Sequence, residues 1–143
     1  MKTEKKRENS SGAFASIDSI LLLLAIAAAN THLIAGNLSA ELVFLPHRFL
    51  SGDWWRLFTF PFVHMGWYHL CLDAGAFFLL YSGLPERRWP MRLFYMGVCS
   101  SASLAAVWLT TPEIHFLGLN GLSGIGHGLM ALSTLEQATT HGA

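Results

Sequence analysis

The chain has 143 residues, of which 52% are hydrophobic and 13% charged, where soluble domains carry about 25% charged residues; this excludes an ordinary soluble domain and fits a membrane protein. The formal net charge is zero and no basic stripe follows the amino-terminal tail, which excludes nucleic-acid binding. The two cysteines, Cys71 and Cys99, stand inside apolar segments without CxxC spacing, so they read as packing residues and not as a metal or disulfide framework.

Residues 1–15 are polar, basic and Ser-containing, with Lys2, Lys5, Lys6 and Arg7, too little apolar surface to order themselves. They are expected to form a flexible cytoplasmic tail ahead of a membrane domain over residues 16–143. Ile17 to Gly36 is long enough to cross a hydrocarbon core of ~30 Å at ~1.5 Å per residue. A cleaved signal peptide is the competing reading, with Ala25-Ile26-Ala27 resembling a cleavage site; the later apolar segments favour a membrane anchor. From Asn37 to about Gly66 the sequence is mixed, with Pro46, Gly52, Pro61, Trp54 and Trp55. This predicts an interfacial loop, because Trp collects at headgroup depth.

A second apolar segment is predicted from Trp67 to Gly83, ended by Pro85-Glu86-Arg87-Arg88-Trp89-Pro90. A third runs from Met91 to Thr111 and carries Gly97, Ser100, Ser101, Ala102, Ser103, Ala105 and Ala106, small residues that permit close helix approach. After a loop at Pro112, a fourth runs from Leu122 to about Leu135, with a small-xxx-small pair at Gly124 and Gly128. The expected fold is therefore all-α, a polytopic membrane bundle of about four transmembrane helices. Lys and Arg number four before the first segment, two in the first loop (Arg48, Arg56), three around the next (Arg87, Arg88, Arg92) and none in the last. The positive-inside rule then puts the amino terminus in the cytoplasm, and brings His69 and Ser123 to the same, non-cytoplasmic end.

Gly121-Leu122-Ser123-Gly124 places a small hydroxyl at a helix start. Unpaired N–H groups and the positive dipole end favour a developing oxyanion there, and flanking glycines leave room for a tight entry. Standing alone, the same four residues also serve as a helix-packing device. His69 and Asp73 are four residues apart and share a helix face; an ionisable pair inside a membrane marks function, or else a His–Asp hydrogen bond that packs the bundle. His127 follows Ser123 by one turn and is placed to lean toward the hydroxyl, or simply to pack.

Trp55-Arg56, His64-x4-His69-x3-Asp73 and Gly121-Leu122-Ser123-Gly124, in that order, resemble the rhomboid intramembrane serine proteases over roughly Trp54 to Leu132. Gly-Leu-Ser-Gly-Ile-Gly-His-Gly-Leu and the short loops are most similar to the rhombosortase branch, bacterial enzymes implicated in processing proteins with a carboxy-terminal Gly-Gly sorting segment. The resemblance implies an integral protein of the bacterial inner membrane that cuts membrane-anchored protein substrates near the outer face, without metal or cofactor. It implies that Ser123 is the nucleophile, that His69 and the Ser123 amide hold the oxyanion, and that Gly121, Leu122 and Gly124 shape substrate access. Trp55, Arg56 and His64 take structural roles, with Arg56 bracing the first loop.

Two departures from that family pattern stand out. Asp73 occupies a position where these rhomboids usually have Asn, so it is expected either to be protonated by burial or to orient His69. The family's base histidine comes from a sixth membrane helix, whereas this sequence has four apolar segments, and it is expected to be incomplete at its carboxy-terminal end. His141 lies eighteen residues beyond Ser123, ~27 Å along a helix, and is a poor substitute; His127 is the remaining candidate base. The rival readings are a rhomboid-like pseudoprotease that binds transmembrane segments without cutting them, and a metal or proton pathway through His64, His69, Asp73 and His127.

Overall fold

In a computed structural model, residues 16–36 and 41–141 are described, Thr140 and His141 by backbone alone. The expected basic tail, residues 1–15, lies outside them. The order of helices is α1 (Ile17–Ala29), α2 (His32–Ala35), α3 (Pro46–Leu50), α4 (Arg56–Thr59), α5 (Trp67–Gly83), α6 (Trp89–Thr110), α7 (Ile114–Leu117) and α8 (Ser123–His141), with a 3-10 turn at Phe60–Phe62 between α4 and α5. Among the described residues the protein is an all-α bundle of four long helices, in which α8 packs against both α5 and α6.

Among the described residues two spans, Ile17–Ala35 and Trp89–Thr110, are long and apolar enough to cross a membrane. Helix α5 has 17 residues, ~25 Å at ~1.5 Å per residue, just short of a full crossing. Helix α8 ends in Glu136, Gln137 and Thr139, which lowers its apolar character. Helix α5 keeps the bounds expected from sequence. Helix α6 starts two residues earlier than expected because Pro90 sits in its first turn, where a missing N–H costs nothing.

The first segment departs from expectation: it is interrupted between Ala29 and His32. The buried Asn30 donates Nδ2–H to the Ile26 carbonyl at 2.7 Å and to the Phe62 carbonyl at 2.6 Å, and a side chain that competes for an i−4 carbonyl bends a helix. Cys71 is a second departure. It is exposed, whereas Cys99 is buried in the core, so only Cys99 packs as expected.

The main core joins Leu22, Ile26, Phe77, Tyr81, Met96, Cys99, Leu122, Ile125 and Leu129. Helices α6 and α8 meet through their small residues: a Cβ added at Gly124 would lie 2.6 Å from the Ser103 Cβ, and one at Gly128 would lie 2.6 Å from the Cys99 Cβ. Both contacts are too close for any larger residue, so the two glycines set how near the helices approach. At one end of the bundle, Tyr81 donates to Asp18 at 2.6 Å and Arg92 pairs with the same carboxylate at 3.1 Å. This cluster ties the start of α1 to the end of α5 and the start of α6, next to the Arg87–Arg88 loop. The starts of α5 and α8 lie at the other end.

Candidate active site

Three separate pieces of chain meet at that second end. The first is the loop before α5, which carries His64. Asn30 Oδ1 accepts the His64 N–H at 2.8 Å, and His32 Nε2 donates to the His64 carbonyl at 2.9 Å. The end of the first segment thus clamps both peptide groups of a fully buried histidine. Burial pushes the His64 imidazole below its usual value, because the charged form loses its hydration.

The second piece is the first turns of α5. His69 Nε2 lies 3.1 Å from Asp73 Oδ2, and His64 Nε2 lies 3.5 Å from the same oxygen. The two imidazoles stand edge to face, with ring centroids 5.4 Å apart.

The third piece is the turn into α8. An antiparallel bridge between Phe44 and Leu119 fixes this turn on the first loop, and Gly121 donates its N–H to the Phe60 carbonyl at 3.0 Å. Gly121 has φ +96, and a Cβ there would lie 3.1 Å from Asp73 Oδ2 and 3.4 Å from His69 Cε1. Glycine is thus required both by the left-handed backbone and by the approach of α8 to α5. The Ser123 N–H, one of the helix-start donors without an intrahelical acceptor, donates to Asp73 Oδ2 at 3.1 Å. The Leu122 N–H reaches His64 Nε2 at 3.4 Å. That contact needs a bare Nε2, whereas a bond from His64 to Asp73 needs Nε2–H, so the two alternate with the tautomer.

Ser123 is exposed, and among the described residues its hydroxyl has no hydrogen-bond partner. It opens on a cleft of about 170 Å³ between α5 and α8, lined by Asp73, Ala76, Leu80, Leu122, Gly126, His127 and Met130. His127 turns Nδ1 to the Ser123 carbonyl at 2.7 Å, engaging the main chain and not the hydroxyl. Gly124 faces Ser103 on α6, away from the cleft, while Gly121 borders His69 and Asp73. Leu122 is fully buried beside them.

Arg56 is buried; it bonds Asp53 Oδ2 at 3.0 Å and the Val43 carbonyl at 2.7 Å. Its neighbour Trp55 is 41% exposed, so it can meet the lipid surface. Among the predicted residues, Ser123, His69, Asp73, His64, Gly121 and Leu122 therefore converge, His127 borders the cleft, and Trp55, Arg56 and Gly124 stand apart. The His141 side chain is outside the described residues. Asn30 and His32, which hold His64, were not anticipated. Their signal was present in the sequence: an Asn and a His within an apolar run are costly enough to need partners.

A serine at a helix start, beside two histidines and a carboxylate, thus stands at one end of an apolar helical bundle. A family model described as Rhomboid domain matches residues 51–142, and the chain belongs to the rhomboid family, whose members are membrane-integral and generally serine proteases. No curated protein and no solved structure was found to match it.

Proposed function

We propose that this protein is an intramembrane serine endopeptidase that cleaves membrane-anchored protein substrates near the outer face of a bacterial inner membrane, with its amino terminus in the cytoplasm. The observation that carries the reading is the meeting of the Ser123 N–H, from the start of α8, and the His69 imidazole, from α5, at one oxygen position beside an exposed serine hydroxyl. Oxyanion stabilisation needs donors about 2.7–3.1 Å from the charged oxygen, and the spacing here is of that size. Ser123 is the nucleophile in this reading. Its amide and His69 hold the oxyanion, Gly121 and Leu122 shape the entry, and His64 and Arg56 support the loops. A carboxy-terminal Gly-Gly sorting segment is the substrate feature suggested by the rhombosortase resemblance.

The base is the open role. A Ser–base pair requires hydrogen-bond contact, and His127 spends Nδ1 on a carbonyl; the family pattern instead takes this histidine from a further membrane helix. The same observation, with Asp73 resting on the Ser123 amide, favours the second reading, a pseudoprotease that binds transmembrane segments.

Labelling with a fluorophosphonate in detergent or liposomes separates these readings. Labelling that is lost in both Ser123→Ala and His127→Ala assigns the base to His127. Labelling that requires two appended helices carrying a histidine assigns it to a further helix. No labelling in either form supports the pseudoprotease.

A further inference from the structure

The oxygen at the meeting point beside Ser123 belongs to the chain itself. Asp73 Oδ2 accepts the Ser123 N–H at 3.1 Å and lies 3.1 Å from His69 Nε2 and 3.5 Å from His64 Nε2. These are the surroundings that a tetrahedral oxyanion would need, already taken by a carboxylate. An ionised carboxylate only accepts hydrogen bonds. It therefore cannot help to hold an oxyanion, and its charge opposes a second negative oxygen at the same place.

The contact depends on the local design of this sequence. Gly121 lets the carboxylate come close, since a Cβ there would stand 3.1 Å from Oδ2. Asp73 also lines the 170 Å³ cleft beside Ala76 and Gly126, so the small side chains leave open space into which the carboxylate can swing.

We propose that Asp73 is a built-in plug of the anion pocket: in the resting chain its carboxylate occupies the Ser123 amide, and a substrate carbonyl must displace it before attack. This rests on the protease reading of Ser123. Replacing Asp73 with Asn swaps the competing charge for a group that can donate, so Asp73→Asn should react faster than the parent chain. One hydrogen bond to a charged group corresponds to a gain on the order of tenfold or more.

The test uses two readouts on the full chain in detergent micelles. The first is the amide proton resonance of Ser123, followed by ¹⁵N-serine labelling in the parent and in Asp73→Ala. The second is the rate of fluorophosphonate labelling in the parent and in Asp73→Asn, with Ser123→Ala as blank and a thermal melt to confirm folding. The expected result is an upfield move of the Ser123 amide on loss of the carboxylate, together with faster labelling of Asp73→Asn. An unmoved amide resonance would overturn the proposal. So would a moved resonance with labelling that is unchanged or slower, which would make Asp73 a positioning residue for His69. If neither protein labels, alone or with two appended helices carrying a histidine, the protease reading fails, while the amide resonance still decides whether the carboxylate occupies the pocket.

Discussion

The two ends of the bundle each hold a partly buried carboxylate among helix termini, and they resolve its charge in opposite ways. At one end Asp18 meets a full positive charge: Arg92 pairs with it at 3.1 Å, Tyr81 donates to it at 2.6 Å, and the Arg92 guanidinium lies 4.5 Å from the Tyr81 ring centroid. Arg92 also donates Nε–H to the Glu86 carbonyl at 2.8 Å. At the other end Asp73 meets imidazoles and a main-chain amide, with no Lys or Arg among the contacts described. Arg92 and Tyr81 are buried, while Ser123 is exposed and His69 half open. A charge-balanced, enclosed cluster holds helices together; a carboxylate on N–H groups beside an open cleft is a place where another anion can take over.

The sharpest way to break this contrast is substitution at the two centres. Ser123→Ala should abolish fluorophosphonate labelling or cleavage of a membrane-anchored reporter, with a melting temperature close to that of the parent. Asp18→Ala should do the reverse. Stranding a buried guanidinium costs about 3 kcal/mol or more, visible as a lower denaturation midpoint in detergent. Equal loss of stability in both variants would remove the distinction between the ends.

A smaller effect is expected at Asn30. Asn30→Ala leaves the His64 N–H and the Phe62 carbonyl without their partners, at about 1–3 kcal/mol for each group left buried. Because those bonds hold the loop that carries His64, labelling of Ser123 should slow as well, which no change at Asp18 should cause at matched folded fraction. Gly121→Ala should cost about 1–2 kcal/mol for its φ of +96. It should also disturb the Ser123 amide resonance, because the added methyl presses on Asp73.

The smallest expected effect is on pH dependence. Burial lowers the folded-state value of His64, with the nearby Asp73 charge opposing and His69 reinforcing the shift. The unfolded chain then binds a proton more readily than the folded one. The contribution of His64 is fully present above about pH 6.5, the unfolded value, and is lost as pH falls toward the lowered folded value. A His64→Gln variant should flatten that part of a denaturation-versus-pH curve. An unchanged slope would assign the acid sensitivity elsewhere.

Much of the architecture could be read along the chain. The apolar run from Trp67 to Gly83 fixed the limits of α5, and the small residues of the third and fourth segments marked both for close helix approach, which α6 and α8 make with each other. Both are local: hydrophobicity and residue size act at the position where they occur. The triad His64, His69 and Asp73 was likewise visible as a spacing, and Ser123 as a helix start. The sequence could not show that the first segment breaks at Asn30, because the partners of that side chain include Phe62 and His64, more than thirty residues away.

Tertiary structure also separated residues that spacing had grouped. Gly124 belongs to the α6 contact, Cys71 is exposed, and His127 bonds a carbonyl instead of the hydroxyl. The sequence alone determined that the protein is an all-α membrane bundle, because composition and periodicity act through burial in every fold, and the family resemblance singled out a serine, two histidines and a carboxylate as its candidate site. Only the tertiary structure decided that the carboxylate rests on the serine's own amide, because a contact between residues 73 and 123 depends on how closely glycine lets two helices meet.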